Sequence, residues 1–371
     1  MKKTNKTTTI IFLFAVSFVL IIGGLAQNDH CLAQQKTIKL TYALFQPAVA
    51  ALSKTNTAFA KEIESRTNGR VQIQIFQSGS LLGAPAMYQG IRNGIADMGN
   101  GISSYSPGNF PFTSIAELPN DAESGWVASK AQYDFLMKYQ PKEWNEVQLL
   151  TVFSPGCDIM GIGTGKAPIR KLEDWKGKSI RTNHADIIVA LGGTVKDVPM
   201  TEVYDSISKG VLDGVVGSPE PLASWKLGDV CKYVTLNMAP VQPSIMWYNA
   251  INKNSWNKLP KDIQEIIKDV SNKYVGELGL TWDAQAVAGI EYCKKLGDSV
   301  YVLPKDEQDR WTKAILPVID ARIKKLATEG MTQAEAEDAW KYFQSRVAFW
   351  NGKQAENNIA TLADRLAGAI K

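Results

Sequence analysis

The chain has 371 residues, 45% of them hydrophobic and 21% charged, with a formal net charge of +4. So small a surplus on so long a chain gives no basis for nucleic acid or an anionic membrane as partner. Its two histidines, His30 and His184, exclude a zinc site built on several histidines. A Ser-His-Asp triad would have to be built around His184 alone, once the N-terminus is removed.

The N-terminus is the first element. Lys2, Lys3 and Lys6 precede an apolar run over residues 10–22 broken only by Ser17, and Cys31-Leu32-Ala33 places small residues where a signal peptidase needs them. Residues 1–33 are therefore read as a cleaved signal peptide, since the apolar run is short for a membrane span. An uncleaved anchor is the alternative. The mature chain is expected to be soluble and exported, and is long enough for two domains. Cys157, Cys231 and Cys293 remain, so at most one disulfide forms, with its pairing open and plain apolar burial equally open.

Residues 37–45 alternate as a strand, and Leu52, Phe59 and Ile63 stripe a helix that ends at Asn68-Gly69. VQIQIF (residues 71–76) is a period-two strand. Met87, Ile91 and Ile95 stripe the next helix, and Gly94 and Asp97-Met98-Gly99 lead back to strand. Residues 124–144 read as helix, and LLTVF (residues 149–153) as a strand leading across to the second half.

The second half repeats the layout. Residues 179–181 form a short strand ending at Arg181, and Ile187, Ile188 and Leu191 a helix stopped by Gly192-Gly193. Residues 194–198 are strand, Thr201 is a candidate N-cap for a helix carrying Val203 and Ile207, and residues 212–218 return to the sheet. Short strands alternating with short helices predict a parallel sheet, whose ligands sit at the carboxyl ends of the strands. Arg181 lies at such an end, before the turn Thr182-Asn183-His184. A guanidinium there can grip an anion with two parallel donors, although pairing with a surface Asp is the commoner fate. His184 is expected to face solvent or cap a helix before it touches a ligand.

From Pro260 to about Lys295 the residues Ile263, Ile267, Val270, Tyr274, Leu278 and Ala286 keep a helical period. That is about 50 Å of helix, long enough to lie across two domains. Gly276, Gly279 and Gly289 predict a kink or a division in it. Residues 306–371 read as amphipathic helix throughout. No GxSxG elbow, P-loop or paired CxxC is present, so the chain is read as a binder and not an enzyme.

Several segments carry a resemblance in their order and spacing. They are TNGRVQIQIF, then GSLLGAPAMYQGIRNGIADMG, YSPGNFPFTSIAELP, LEDWKGKSIRT, VPMTEVYDSISKGVLDG and SWNKLPKDIQEII. Together they resemble the extracytoplasmic solute-binding proteins of tripartite ATP-independent periplasmic (TRAP) transporters. The resemblance implies an α/β, two-lobed periplasmic-binding-protein (venus-flytrap) fold with a long helix spanning both lobes. One lobe is expected from residues 36–158 with about 248–288, the other from 159–247 with about 289–371. It also implies capture of a small organic acid, delivered to membrane permease subunits driven by an ion gradient. Service to an ATP-driven importer or a sensor is the alternative, and an exported enzyme a weaker one. No cofactor is implied, and the role of Glu220 is open between receiving a substrate hydroxyl or amine, binding a cation as in some relatives, and standing as a rim carboxylate.

In that family the arginine matching Arg181 clamps the substrate carboxylate. Two departures bear on the ligand. The sialic-acid branch carries a second arginine where Met160 aligns, and reads DGQENP where this chain reads DGVVGSPEP, with Ser218 and Glu220 in the region. A substrate with fewer polar groups is expected, namely a monocarboxylate with an aromatic, hydroxy or keto body. The rest of the pocket is expected from strand ends: Phe45 and Gln46, Ser103 and Tyr105, Phe153 and Met160, Asn183, and Trp247 and Tyr248. Core packing is the competing fate of each aromatic.

Overall fold

The computed structural model describes residues 37–155, 160–239 and 241–370. Residues 1–33, read from the sequence as a signal peptide, and Cys157 lie outside them. The first half holds β1 (Ile38–Leu44), α1 (Ala51–Arg66), β2 (Val71–Phe76), α2 (Met87–Arg92), β3 (Met98–Ile102), α3 (Gly125–Tyr139) and β4 (Val147–Phe153). The second holds β5 (Met160–Thr164), β6 (Ser179–Arg181), α4 (Ala185–Ala190), β7 (Thr194–Val195), α5 (Met200–Ser208), β8 (Gly214–Gly217), α6 (Glu220–Ser224) and β9 (Tyr233–Asn237). The chain then continues through β10 (Trp247–Asn252), α7 (Lys253–Asn257), α8 (Lys261–Lys295) and β11 (Ser299–Val302). Three helices close it: α9 (Lys305–Thr328), α10 (Gln333–Glu356) and α11 (Leu362–Ile370).

Two sheets result, ordered β2-β1-β3-β10-β4 and β11-β9-β5-β8-β6-β7. Both are mixed, where the strand–helix alternation predicted parallel pairing. β10 runs antiparallel to β3 and β4, and β5 runs antiparallel to β8 and β9. Each is a crossing strand, arriving from the other half of the molecule, so its direction is set by a connection and not by a local βαβ unit. β11, which sequence periodicity left out, pairs parallel with β9. Its four residues are all at least partly exposed and show no alternation to detect.

Local signals account for most element ends. Helix α1 buries Leu52, Phe59 and Ile63, and stops where Asn68 and Gly69 take φ of 51° and 73°. Helix α2 ends at Arg92, and Gly94 (φ 74°) turns the chain, which leaves Ile95 58% exposed and off the expected stripe. Ser124 caps α3, accepting the Val127 N–H at 3.2 Å. Thr201 is not a cap: α5 begins after Pro199, and Thr201 sits exposed in its first turn.

Helix α8 is unbroken over 35 residues, against the expected kink. Its glycines mark close approaches instead. An ideal Cβ would come within 2.8 Å of the Trp126 indole at Gly276, 2.2 Å of the Gly125 carbonyl at Gly279 and 2.0 Å of the Pro219 carbonyl at Gly289. Helix α8 thus packs on α1 and α3 of the first half and on α6 and α11 of the second. Helix α10 returns to the first half, where Asp134 of α3 accepts from Arg346 at 2.7 Å and from the Trp350 indole at 2.7 Å.

One core of the second half joins Ile162, Ile180 and Ile187 to Trp175 and Trp311, whose rings lie 5.2 Å apart. Each such fully buried side chain contributes roughly 1.5–3 kcal/mol. A second core takes Leu222, Ile290, Leu362 and Leu366 together with Cys231 and Cys293. Both cysteines are free, and burial pushes both thiols up to about 12, so they serve as apolar residues here.

Candidate ligand-binding site

A cavity of about 70 Å³, partly open to solvent, lies where strand ends of the two sheets meet. The first half contributes Phe45 and Gln46 after β1, Tyr105 after β3 and Trp247 at the start of β10. The second contributes Arg181 at the end of β6 and Asn183 after it, and Ser218 and Glu220 after β8. Trp282 reaches it from α8.

Arg181 is 4% exposed. Its Nε donates to the Val198 carbonyl at 3.2 Å and one Nη to the Tyr105 hydroxyl at 3.0 Å. No carboxylate among the described residues pairs with it, so the surface ion-pair reading does not hold. A buried guanidinium without a counter-charge is costly, and a bound anion would offset that cost. Because the Tyr105 oxygen accepts from Arg181, its own O–H is left to donate to whatever binds beside it.

Aromatic rings form the facing wall. Phe45 stacks on Trp247 at 5.5 Å, Trp282 lies 5.3 Å from Trp247, and Tyr105 meets Phe45 edge-on at 6.1 Å. This pairs one cation with a flat apolar surface, the arrangement a carboxylate on an apolar body would need.

Gln46, Tyr105, Arg181, Asn183, Ser218, Glu220 and Trp247, all expected from the sequence, line this cavity, as does Phe45. Others do not. Tyr248 follows Trp247 in β10, so strand alternation sends it to the opposite face, against Trp144 at 5.1 Å and Phe110 at 6.1 Å. Phe153 stacks behind Trp247 at 6.0 Å and backs the wall without lining it. Ser103 is tied into the scaffold, donating to the Met246 carbonyl at 3.2 Å and to Glu117. Met160 pairs with Asn237 through its strand backbone, and its side chain lies outside the described residues. His184, placed before α4, is 5% exposed and does not face solvent. Sequence reasoning missed Trp282; the one signal was a tryptophan between two glycines of a long helix.

The family model for bacterial extracellular solute-binding protein, family 7 (DctP), matches residues 47–326. The chain belongs to that family. A TRAP periplasmic solute-binding protein from Desulfovibrio salexigens, in an open complex, is 29% identical, with a TM-score of 0.73 over 85% of this chain and 97% of its own. A TRAP protein from Rhodoferax ferrireducens with copurified benzoate gives 21% identity and a TM-score of 0.78 over 84% of this chain and 98% of its own. A third, from Bordetella bronchiseptica with bound mandelate, gives 24% and 0.75 over 84% and 99%.

Among curated relatives, a solute-binding protein of Albidiferax ferrireducens is 25% identical over 57% of this chain, a match spanning only 63% of that relative. The C4-dicarboxylate-binding protein DctP of Rhodobacter capsulatus is 21% identical over 85% of this chain and 95% of its own length. A monocarboxylate 2-oxoacid-binding protein of a Nostoc species is 23% identical over 79% and 80%.

In this solute-binding protein Glu220 is the second ionisable group of the cavity. It is 5% exposed, and burial raises its carboxyl to about 7, against a lowering contribution from the Ser224 hydroxyl. Asp283 of α8 is likewise pushed up to about 7 by burial, against the Gly125 N–H and Arg365. A carboxyl whose folded value lies above its unfolded one favours the fold fully below the unfolded value. That contribution is lost as pH rises through the folded value. The unliganded protein should therefore lose stability between about pH 4.5 and pH 8, on the order of 3 kcal/mol for each group. Glu220→Gln should remove its share of the slope in denaturant titrations at pH 5 and 8; an unchanged slope would contradict this. Among the described residues, no cluster of three or more His, Cys, Asp or Glu side chains could hold a metal ion.

Proposed function

We propose that this protein captures a small organic monoacid in the periplasm and delivers it to the membrane permease subunits of a TRAP transporter. The carrying observation is Arg181, buried beside an aromatic wall with no carboxylate partner among the described residues. One arginine balances one carboxylate. A second carboxylate in the closed cavity would meet Glu220 and the rings, with a desolvation penalty of several kcal/mol. A monoacid with an aromatic, hydroxy or keto body avoids that penalty. Glu220, neutral below about pH 7, can then donate to a hydroxyl or keto oxygen. The benzoate and mandelate complexes and the 2-oxoacid relative support this reading; the C4-dicarboxylate relative points the other way.

A thermal-shift screen separates the two. Benzoate, mandelate and phenylglyoxylate should raise the melting temperature more than succinate, malate or sialic acid. A larger shift with succinate or malate than with any monoacid would overturn the monoacid reading.

A further inference from the structure

The two walls of the cavity belong to different sheets, and a hydrogen bond joins them. Arg181 ends β6 of the second sheet, where it pairs with Val215 of β8. Tyr105 closes the short turn that follows β3 of the first sheet. One Nη of Arg181 donates to the Tyr105 hydroxyl at 3.0 Å.

Each end of that bond is held by its own wall. The Ser103 N–H donates to the Met246 carbonyl and the Ser106 N–H to the Ser103 carbonyl, each at 3.0 Å, which fastens the Tyr105 turn to the first sheet. The Tyr105 ring lies edge-on to Phe45 at 6.1 Å, and Phe45 stacks on Trp247 of β10. The guanidinium is fastened to the second wall, where Nε donates to the Val198 carbonyl at 3.2 Å. Neither partner can follow the other if the walls part, and a gap of about 3.6 Å already makes no hydrogen bond. The contact therefore depends on the two sheets standing close together.

The contact uses the hydroxyl of Tyr105 and not its ring. A phenylalanine would pack on Phe45 equally well, so the wall alone gives no reason for the oxygen. Arg181 is 4% exposed, and a hydrogen bond from a charged donor sheltered in this way counts for more than a neutral one. The bond also fixes the plane of the guanidinium, which Nε alone would leave free to turn.

We infer that Tyr105 is a positioning residue that acts through Arg181. Its hydroxyl latches the two walls together and sets the guanidinium plane for the carboxylate, so closure and a competent clamp form together. The latch rests on the reading of Arg181 as the carboxylate clamp. A ligand that binds the latched state better than the parted one drives closure by that difference in affinity. If Tyr105 were a wall aromatic or a ligand contact only, the protein without ligand would gain no closure from it.

Two measurements on the exported chain test the latch. Dyes on Lys61→Cys and Lys209→Cys, both exposed, one on α1 and the other at the end of α5, report the gap between the walls in single molecules. Without ligand the parent should visit a closed state. Tyr105→Phe and Arg181→Ala should each lower the closed-to-open ratio about tenfold, the value of a hydrogen bond to a charged group. Calorimetry should show Tyr105→Phe weakened by the same factor for benzoate and mandelate, since apparent affinity falls with the competent fraction. A ligand-free parent that never closes overturns the inference, and this arm needs no variant to fold. So does a closed-to-open ratio that Tyr105→Phe leaves within about twofold of the parent's, even where affinity falls, because Tyr105 is then a ligand contact. If Arg181→Ala binds both acids as tightly as the parent, the clamp reading itself fails and takes the latch with it.

Discussion

Arg181→Ala should abolish useful binding of the acid while leaving the fold intact. Losing a bidentate, desolvated charge pair costs about 2–5 kcal/mol, which weakens binding by roughly one and a half to three and a half powers of ten. The fold should tolerate the change, because Arg181 is unpaired by any carboxylate among the described residues and its loss strands no buried counter-charge. Arg181→Lys should rescue poorly. The guanidinium donates at once to the Val198 carbonyl and the Tyr105 hydroxyl, with further N–H groups left for a ligand. An ammonium has no planar fork with which to do this. Calorimetric affinities of both variants within threefold of the parent would contradict the assignment of Arg181 as the clamp.

Gly289→Ala should damage both stability and binding. Helix propensity alone favours alanine by about 1 kcal/mol in a helix interior. Packing opposes it. The new methyl group would lie 2.0 Å from the Pro219 carbonyl oxygen, and backbone cannot give way as a flexible side chain could. Overpacking of this kind costs about 1–3 kcal/mol and forces a local shift. The segment that must shift leads directly into Glu220 and the cavity wall. The expected result is a lower melting temperature together with weaker ligand binding. A higher melting temperature with unchanged affinity would mean that propensity wins, and that α8 does not position the site.

What could be read from the sequence depended on how local the cause was. VQIQIF alternates, and β2 occupies those same residues, 71–76. Arg181 could be placed at a strand end because Ser179–Arg181 and the following helix carry their own signals. Alternation puts Tyr248 and Trp247 on opposite faces, but position alone could not say which of them, or whether Phe153, faces the cavity. Which face a strand residue takes depends on register with β3 and β4, more than ninety residues away in sequence. The glycines of α8 looked like breaks because their partners, Gly125 and Pro219, are distant in sequence. Trp282 escaped notice for the same reason, since only the folded packing of α8 brings it against Trp247.

The most direct test of the account is a crystal structure with a bound monoacid such as mandelate. The carboxylate should lie on the Arg181 guanidinium in two parallel hydrogen bonds of about 2.7–2.9 Å, with the ring of the acid against Trp247 and Phe45. A carboxylate bound elsewhere in the cavity, with Arg181 still holding only Val198 and Tyr105, would contradict it.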